Sequence, residues 1–141
     1  MANQNEKIPA VQRAAVDELP LRFSFKYLDS GDGGKFSPGG CSPAYFVKLF
    51  EILHRFSSWT VGDFIDQNNK EHRHIIDFEA TTEKDGFQHI PKVDREQFGY
   101  EEGWQFGVYP EVYYNRWRAH GILVENLYYV VWLDEHHRLY P

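Results

Sequence analysis

Two groups of side chains near the C-terminus carry the residue types that could do chemistry. Arg116, Arg118 and His120 alternate along one segment, and alternate residues of a β-strand project from a common face. Two guanidinium groups and an imidazole on one face could bind an anion or position a phosphate. The same pattern also fits the exposed polar face of a half-buried antiparallel strand, with Trp117 and Ala119 facing the core.

The second group follows an apolar run directly and ends the chain. It contains Asp134, His136, His137, Arg138 and Tyr140. Imidazole, with an ordinary pKa of about 6.5, is the natural general acid or base near neutral pH. An arginine could stabilise the charge that develops on a phosphate. The alternative interpretation is a solvated, charged strand end without a catalytic role.

A third pattern raises the question of a metal ion. His72 and His74 alternate, and Asp77 and Glu79 follow, so two imidazoles and a carboxylate could ligate a metal. The spacing is common by chance and fixes no third ligand, so we predict no metal site and no cofactor, although a metal-dependent hydrolase stays an alternative. Cys41 is the only cysteine, which excludes an intramolecular disulfide, and we interpret it as structural.

The elements that must position these groups indicate an α+β protein. Residues 21–28 alternate like a half-buried strand, and residues 72–78 could form another short strand. Ser42 and Pro43 open an amphipathic helix, and Thr60 opens a second, shorter helix. Asp94 could cap a third. Residues 103–109, 116–124 and 127–133 read as strands, with Pro110 to Tyr113 and then Glu125–Asn126 as turns. We therefore predict two N-terminal helices packed on a small, mainly antiparallel sheet.

Length and composition limit the remaining choices. The chain has 141 residues, the size of one domain, and we expect a flexible N-terminal arm at 1–16 and a single α+β domain at 17–141. No signal peptide or membrane span is recognisable, which predicts a cytoplasmic protein without a membrane partner. The net charge of −6 makes a general nucleic-acid binder a poor fit.

The segment RWRAHGILVENLYYVVWLDEHHRLY, residues 116–140, resembles the C-terminal hairpin of the RelE/ParE toxin superfamily. Shared features are an arginine-bearing strand, a tight turn, an apolar strand and a short polar tail with His or Arg and Tyr. The resemblance implies a RelE-like fold. For the ribonuclease branch it also implies cleavage of messenger RNA through the RNA's own 2′-hydroxyl, without a metal ion, and RNA, the ribosome or a cognate antitoxin as partners.

The resemblance also implies roles for individual residues. Arg118 would hold the scissile phosphate. His136 or His137 would act as general acid or base, and Tyr140 would orient or stack a base. Arg116 and Arg138 would help to neutralise phosphate charge.

His120 has no counterpart in the superfamily, and it is a candidate catalytic residue from its place on the strand alone. The chain is also longer and more acidic than those toxins. An alternative function is therefore a non-enzymatic accessory protein that binds another protein through an aromatic surface, since Trp and Tyr are favoured in interaction hot spots.

Overall fold

The computed structural model describes residues 15–66, 71–98, 102–109 and 116–140. Of the arm predicted at residues 1–16, all but the last two residues lie outside the described part, and so does the turn predicted at Pro110 to Tyr113. Within the described residues, no helix combines the length and apolar character that a membrane crossing requires.

Five strands form one sheet. They are β1 (Arg22–Ser24), β2 (His74–Ile75), β3 (Glu102–Gly107), β4 (Arg118–Val124) and β5 (Leu127–Asp134), in the spatial order β1-β5-β4-β3-β2. β4 is central, and β1 runs parallel to β5 while the other neighbours are antiparallel. The α+β class is confirmed, but the sheet is mixed and the prediction of a mainly antiparallel sheet was wrong.

The helices are α1 (Pro43–Phe56), α2 (Val61–Ile65) and α3 (Lys92–Phe98), with single 3₁₀ turns at Pro38–Gly40 and Phe78–Ala80. α1 and α2 come after β1, and α3 lies between β2 and β3. The described helices are thus interleaved with the strands, which corrects the prediction that the two main helices are N-terminal.

Local capping chemistry explains where the first two helices begin. The Ser42 hydroxyl accepts a hydrogen bond from Tyr45 N at 3.2 Å, and Pro43 stands at the first helical position. Thr60 and Asp63 form a reciprocal capping box, with bonds of 2.9 and 3.2 Å. Both predicted helix starts are confirmed. α3 instead begins directly after Pro91, whose carbonyl accepts from Arg95 N at 3.0 Å, so Asp94 is not its cap.

The two faces of the sheet are buried by different elements. On the helix-covered face, α1 and α2 pack on apolar side chains of β3, β4 and β5, among them Trp104, Phe106, Leu123, Tyr128 and Val130. On the loop-covered face, residues from loops and the C-terminal tail pack on the sheet; the buried members are Tyr27, Phe36, Ile76, Phe87, Ile90, Ile122, Val131, Trp132 and Leu139. Both faces of this small sheet are therefore interior.

A β-bulge in the β4–β5 pair sets the register around the candidate site. The pairing shifts between His120 and Gly121, so that His120 lies opposite Trp132 and Gly121 opposite Val130. A Cβ at Gly121 would come within 2.0 Å of Tyr129 O, so only glycine fits there.

Two predicted strands are shorter in the structure. The segment 21–28 is a strand only at Arg22–Ser24, because Leu28 N bonds to Phe25 O at 3.0 Å and turns the chain into the loops. The segment 72–78 is a strand only at His74–Ile75. The turn between β4 and β5 is confirmed, and Glu125 adopts a left-handed backbone there, with φ of 53°.

Candidate active site on the loop-covered face

A row of polar side chains crosses the loop-covered face of the sheet. His74 on β2 pairs with Gln105 on β3, and Gln105 pairs with His120 on β4. Gln105 Nε2 lies 2.8 Å from His74 Nε2, and Gln105 Oε1 lies 3.1 Å from His120 Nε2. We call His74, Gln105 and His120 the histidine row. Its members are held by strand register, because directly opposed residues project from the same face.

The hydrogen bonds of the row fix its tautomers. His74 Nδ1 lies 2.9 Å from Ile75 O, and a carbonyl oxygen can only accept, so His74 Nδ1 carries the proton. In neutral His74, Nε2 then accepts from the Gln105 amide, and Gln105 Oε1 accepts from His120 Nε2–H. His120 Nδ1 is left with a bare lone pair.

That lone pair is buried. His120 is 0 % exposed beside the stacked rings of Phe36 and Trp132, and its Nδ1 meets no partner among the described residues. Burial lowers the pKa of His120 well below its ordinary value, and the charges of His137, His74 and Arg118 lower it further. His120 is therefore neutral at physiological pH. An unsatisfied buried acceptor costs about 1–3 kcal/mol and calls for an explanation.

Two further imidazoles join the same neighbourhood from loops. His137, in the tail after β5, has a left-handed backbone with φ of 57°, and its Nδ1 is buried with no partner in the described part of the chain. His72, with φ of 53°, precedes β2. Loss of solvent lowers the pKa of His72, and so do the charges of Arg118, His74 and His137. We call His72, His74, His120 and His137 the imidazole cluster.

Arg118 supplies the fixed positive charge of the site. It lies two residues before His120 on β4, and the residue directly opposite it on β5 is Asp134. Arg118 is only 8 % exposed. Burial lowers the pKa of its guanidinium, and the Asp134 carboxylate opposes that shift. The Tyr45 hydroxyl of α1 donates to Arg118 O at 2.7 Å, so the first helix fixes the start of β4. The guanidinium nevertheless remains charged, since arginine does not lose its proton in proteins.

Asp134 positions the tail. Its two carboxylate oxygens accept the backbone N–H groups of Arg138 and Leu139 at 2.8 and 3.0 Å. These bonds fold the tail back onto β5. His137 lies inside the loop that they close and has a left-handed backbone. Asp134 therefore fixes the backbone of the segment that carries His137.

The structure separates the predicted site residues into two sets. Arg118 and His137 lie near enough to His120 for their charges to lower its pKa. Arg116 precedes β4 and is exposed, and Arg138 is exposed with only its backbone bound to Asp134. His136 is exposed, with Nε2 3.5 Å from a carboxylate oxygen of Glu135, so it belongs to the surface.

Tyr140 lies at the edge of the histidine row. Its ring packs 5.8 Å from the His74 ring, and its hydroxyl accepts from Asp77 N at 2.9 Å. Partial burial raises the pKa of this phenol. These contacts hold the Tyr140 ring against His74, and the role in base recognition that the resemblance implies stays a prediction.

Gln105 is the residue that the sequence analysis missed. The only signal was its polarity between Trp104 and Phe106 in an otherwise apolar strand. His72 and His74 were considered only as metal ligands. Among the described residues, no three His, Cys, Asp or Glu side chains are arranged to hold a metal ion.

Cys41 is half-buried beside the start of α1. Burial raises the pKa of its thiol to about 11, and the neighbouring Glu135 charge adds to the shift. The thiol is therefore protonated at neutral pH, which agrees with a structural interpretation rather than a nucleophile.

No family model, no curated protein and no solved structure matches this chain. The resemblance to RelE/ParE toxins stays a prediction, and function has to be argued from the side chains themselves.

Proposed function

We propose that this protein is a metal-independent endoribonuclease of RelE-like kind that acts on messenger RNA in the cytoplasm. The observation that carries the proposal is the meeting of Arg118 with the imidazole cluster, within which His137 Nδ1 is buried and finds no partner in the described residues. Phosphodiester cleavage without a metal needs these parts, namely a fixed cation for the phosphate and imidazoles that exchange protons.

The proposed reaction uses the RNA as its own nucleophile. Arg118 binds the non-bridging oxygens of the scissile phosphate. His72, whose lowered pKa keeps it unprotonated, takes the proton from the ribose 2′-hydroxyl, and the 2′-oxygen forms a bond to phosphorus. The bond from phosphorus to the 5′-oxygen breaks, and protonated His137 donates its proton to that oxygen. The products are a 2′,3′-cyclic phosphate and a 5′-hydroxyl.

The buried members of the row would have a supporting role. His120 is fully buried, so it would not touch RNA. It would instead support the part of β4 that carries Arg118. Because the net charge of −6 gives little long-range attraction for phosphate, we propose that the ribosome presents the RNA and that a cognate antitoxin controls the protein.

The two neighbouring histidines of the tail provide a matched test. Asparagine tolerates the left-handed backbone that His137 adopts, so His137→Asn removes the imidazole without forcing the tail to refold. His136→Asn is the control, because His136 is exposed. We expect His137→Asn to slow cleavage of a single-stranded RNA, assayed with chelator and with ribosomes, by about 100-fold or more, and the control to cleave normally.

A second substrate tests the role of the 2′-hydroxyl as nucleophile. An RNA with a single 2′-deoxyribose at the cleaved position should resist the wild-type protein at that position. No cleavage by the wild-type protein in this assay would exclude the proposal. Equal cleavage by His137→Asn would exclude it too.

A protein-binding function is favoured by one different observation. The outward face of α1 exposes Val47 and Phe50, three residues apart and 57 % and 62 % exposed. Aromatic residues largely belong to the interior instead, with Trp104 and Trp132 buried. A Phe50→Glu variant should lose a partner that co-purifies with the wild-type protein, while the variant and the wild type keep the same thermal unfolding midpoint. If no partner co-purifies with the wild type, this second function is rejected.

A further inference from the structure

A cleft lies on the loop-covered face, beside the histidine row. Its volume is about 390 Å³, and it opens where Gly103 of β3 and Ile122 of β4 form part of the floor. These residues lie two positions along their strands from Gln105 and His120, so the cleft is a separate place on the same face. The volume falls in the range of about 300–1,000 Å³ that small-molecule sites occupy.

The walls of the cleft are flat and aromatic. Phe78 and Phe87 both line it, with ring centroids 5.2 Å apart and planes at 84°. Phe87 is held from behind by Trp132 at 4.5 Å. A Cβ on Gly103 would come within 3.0 Å of the Phe78 ring, so glycine at this position lets that ring lie directly against the strand. A planar ring entering the cleft would meet rigid aromatic surfaces.

The charged residues of the lining are Lys84, Arg95 and Asp85, two cations and one anion. Lys84 is exposed and forms no ion pair with any described residue. Arg95 Nε donates to Ile90 O at 3.1 Å, which holds the guanidinium at the cleft. Two carboxylates near by are already engaged, since Glu83 pairs with Lys35 at 3.1 Å and Asp94 accepts from the Tyr27 hydroxyl at 3.0 Å.

We propose that this cleft binds a small aromatic molecule that carries a single anionic group. The ring would lie against Phe78 and Phe87 over the apolar floor, and the anionic group would bind Lys84 and Arg95 at the opening. The site is independent of the proposed ribonuclease activity. Both a free aryl carboxylate and a nucleoside monophosphate have this chemistry, so the experiment includes one of each.

The test is titration of the isotopically labelled full chain, followed by amide NMR shifts. The probes are naphthoate, its neutral isostere naphthamide, the cation naphthylmethylamine, and adenosine monophosphate. We expect naphthoate or adenosine monophosphate to shift the amides of Ile75, Gly86 and Gly103. Naphthoate should bind about fivefold or more tightly than naphthamide, as expected for one added ionic contact.

Variants then locate the binding energy. Lys84→Glu should weaken binding of the anionic probe about fivefold or more, because it reverses one charge at the opening. Phe78→Ala should also weaken binding, because it removes one wall of the cleft. Lys48→Glu is the matched charge control, since Lys48 lies on α1 on the other face of the sheet. The amide spectrum of each variant reports whether it is folded.

Several outcomes would overturn the proposal. These are no shifts with either anion, equal or tighter binding of the neutral or cationic probe, shifts confined to other residues, or unchanged affinity in folded Lys84→Glu.

Discussion

The helix-covered face of the sheet is closed by apolar side chains, whereas the loop-covered face keeps polar groups beneath its apolar cover. On the first face, buried polar groups such as the Tyr45 and Tyr128 hydroxyls each donate to a backbone carbonyl. On the second, His120 is fully buried with an unsatisfied nitrogen. One face is built for stability and the other tolerates a cost in stability, which is typical of places where proteins do chemistry.

The largest expected effect compares one phenylalanine on each face. Phe56, 0 % exposed under α1, packs against Phe64 and Phe106, and Phe36, 3 % exposed, lies in a loop over His120. We expect Phe56→Ala to lower the free energy of unfolding by about 4 kcal/mol and Phe36→Ala by about 2 kcal/mol, because a loop can collapse into the space more readily than a helix. Urea unfolding measures both.

Equal losses for the two phenylalanine variants would remove the stability contrast between the faces. A second readout sharpens it, since only Phe36→Ala should expose His120 and raise the pKa of that imidazole, as followed by NMR.

A smaller effect concerns the bulge on which both faces depend. Gly121→Ala should lower the free energy of unfolding by about 3 kcal/mol, because the added Cβ would collide with Tyr129 O and the Tyr128 ring. Gly39→Ala is the control, since nothing lies within 4 Å of a Cβ there, and it should change stability by less than about 0.5 kcal/mol. Thermal unfolding of both variants decides this, and a harmless Gly121→Ala would contradict the register described above.

The smallest effect is a dependence of stability on pH that belongs to the loop-covered face. The pKa of His120 is lowered in the folded state, so the unfolded chain binds more protons as pH falls below the ordinary histidine pKa. The free energy of unfolding should therefore fall below pH of about 6.5, by about 1 kcal/mol per pH unit. In His120→Gln this slope should be shallower, while His136→Asn should keep it. An identical slope in His120→Gln would show that other groups cause it.

Features set by a few consecutive residues were predictable from sequence. The helix starts at Ser42 and Thr60 depend on side chains and amides within three residues, and both predictions are confirmed. Alternation along β4 correctly put Arg118 and His120 on one face. These inferences needed only local geometry.

Features set by distant parts of the chain were not predictable. β1 is short and parallel because its neighbour is β5, and no pattern in residues 21–28 encodes that partner. His136 and His137 could not be separated, because the Asp134 carboxylate decides the backbone of the tail and so buries one nitrogen of His137 while His136 stays exposed. Gln105 can be recognised as part of the site only from its hydrogen bonds to His74 and His120, which lie on the strands on either side of it.

The parallel pairing of β1 with β5 brings together segments from the two ends of the described chain. During synthesis, Arg22–Ser24 would leave the ribosome long before Leu127–Tyr129, so this strand has no partner until residues 127–129 have been made. Such distant contacts slow folding, because a long loop must close before they form. The five-stranded sheet can therefore be complete only after Leu127–Asp134 have left the ribosome.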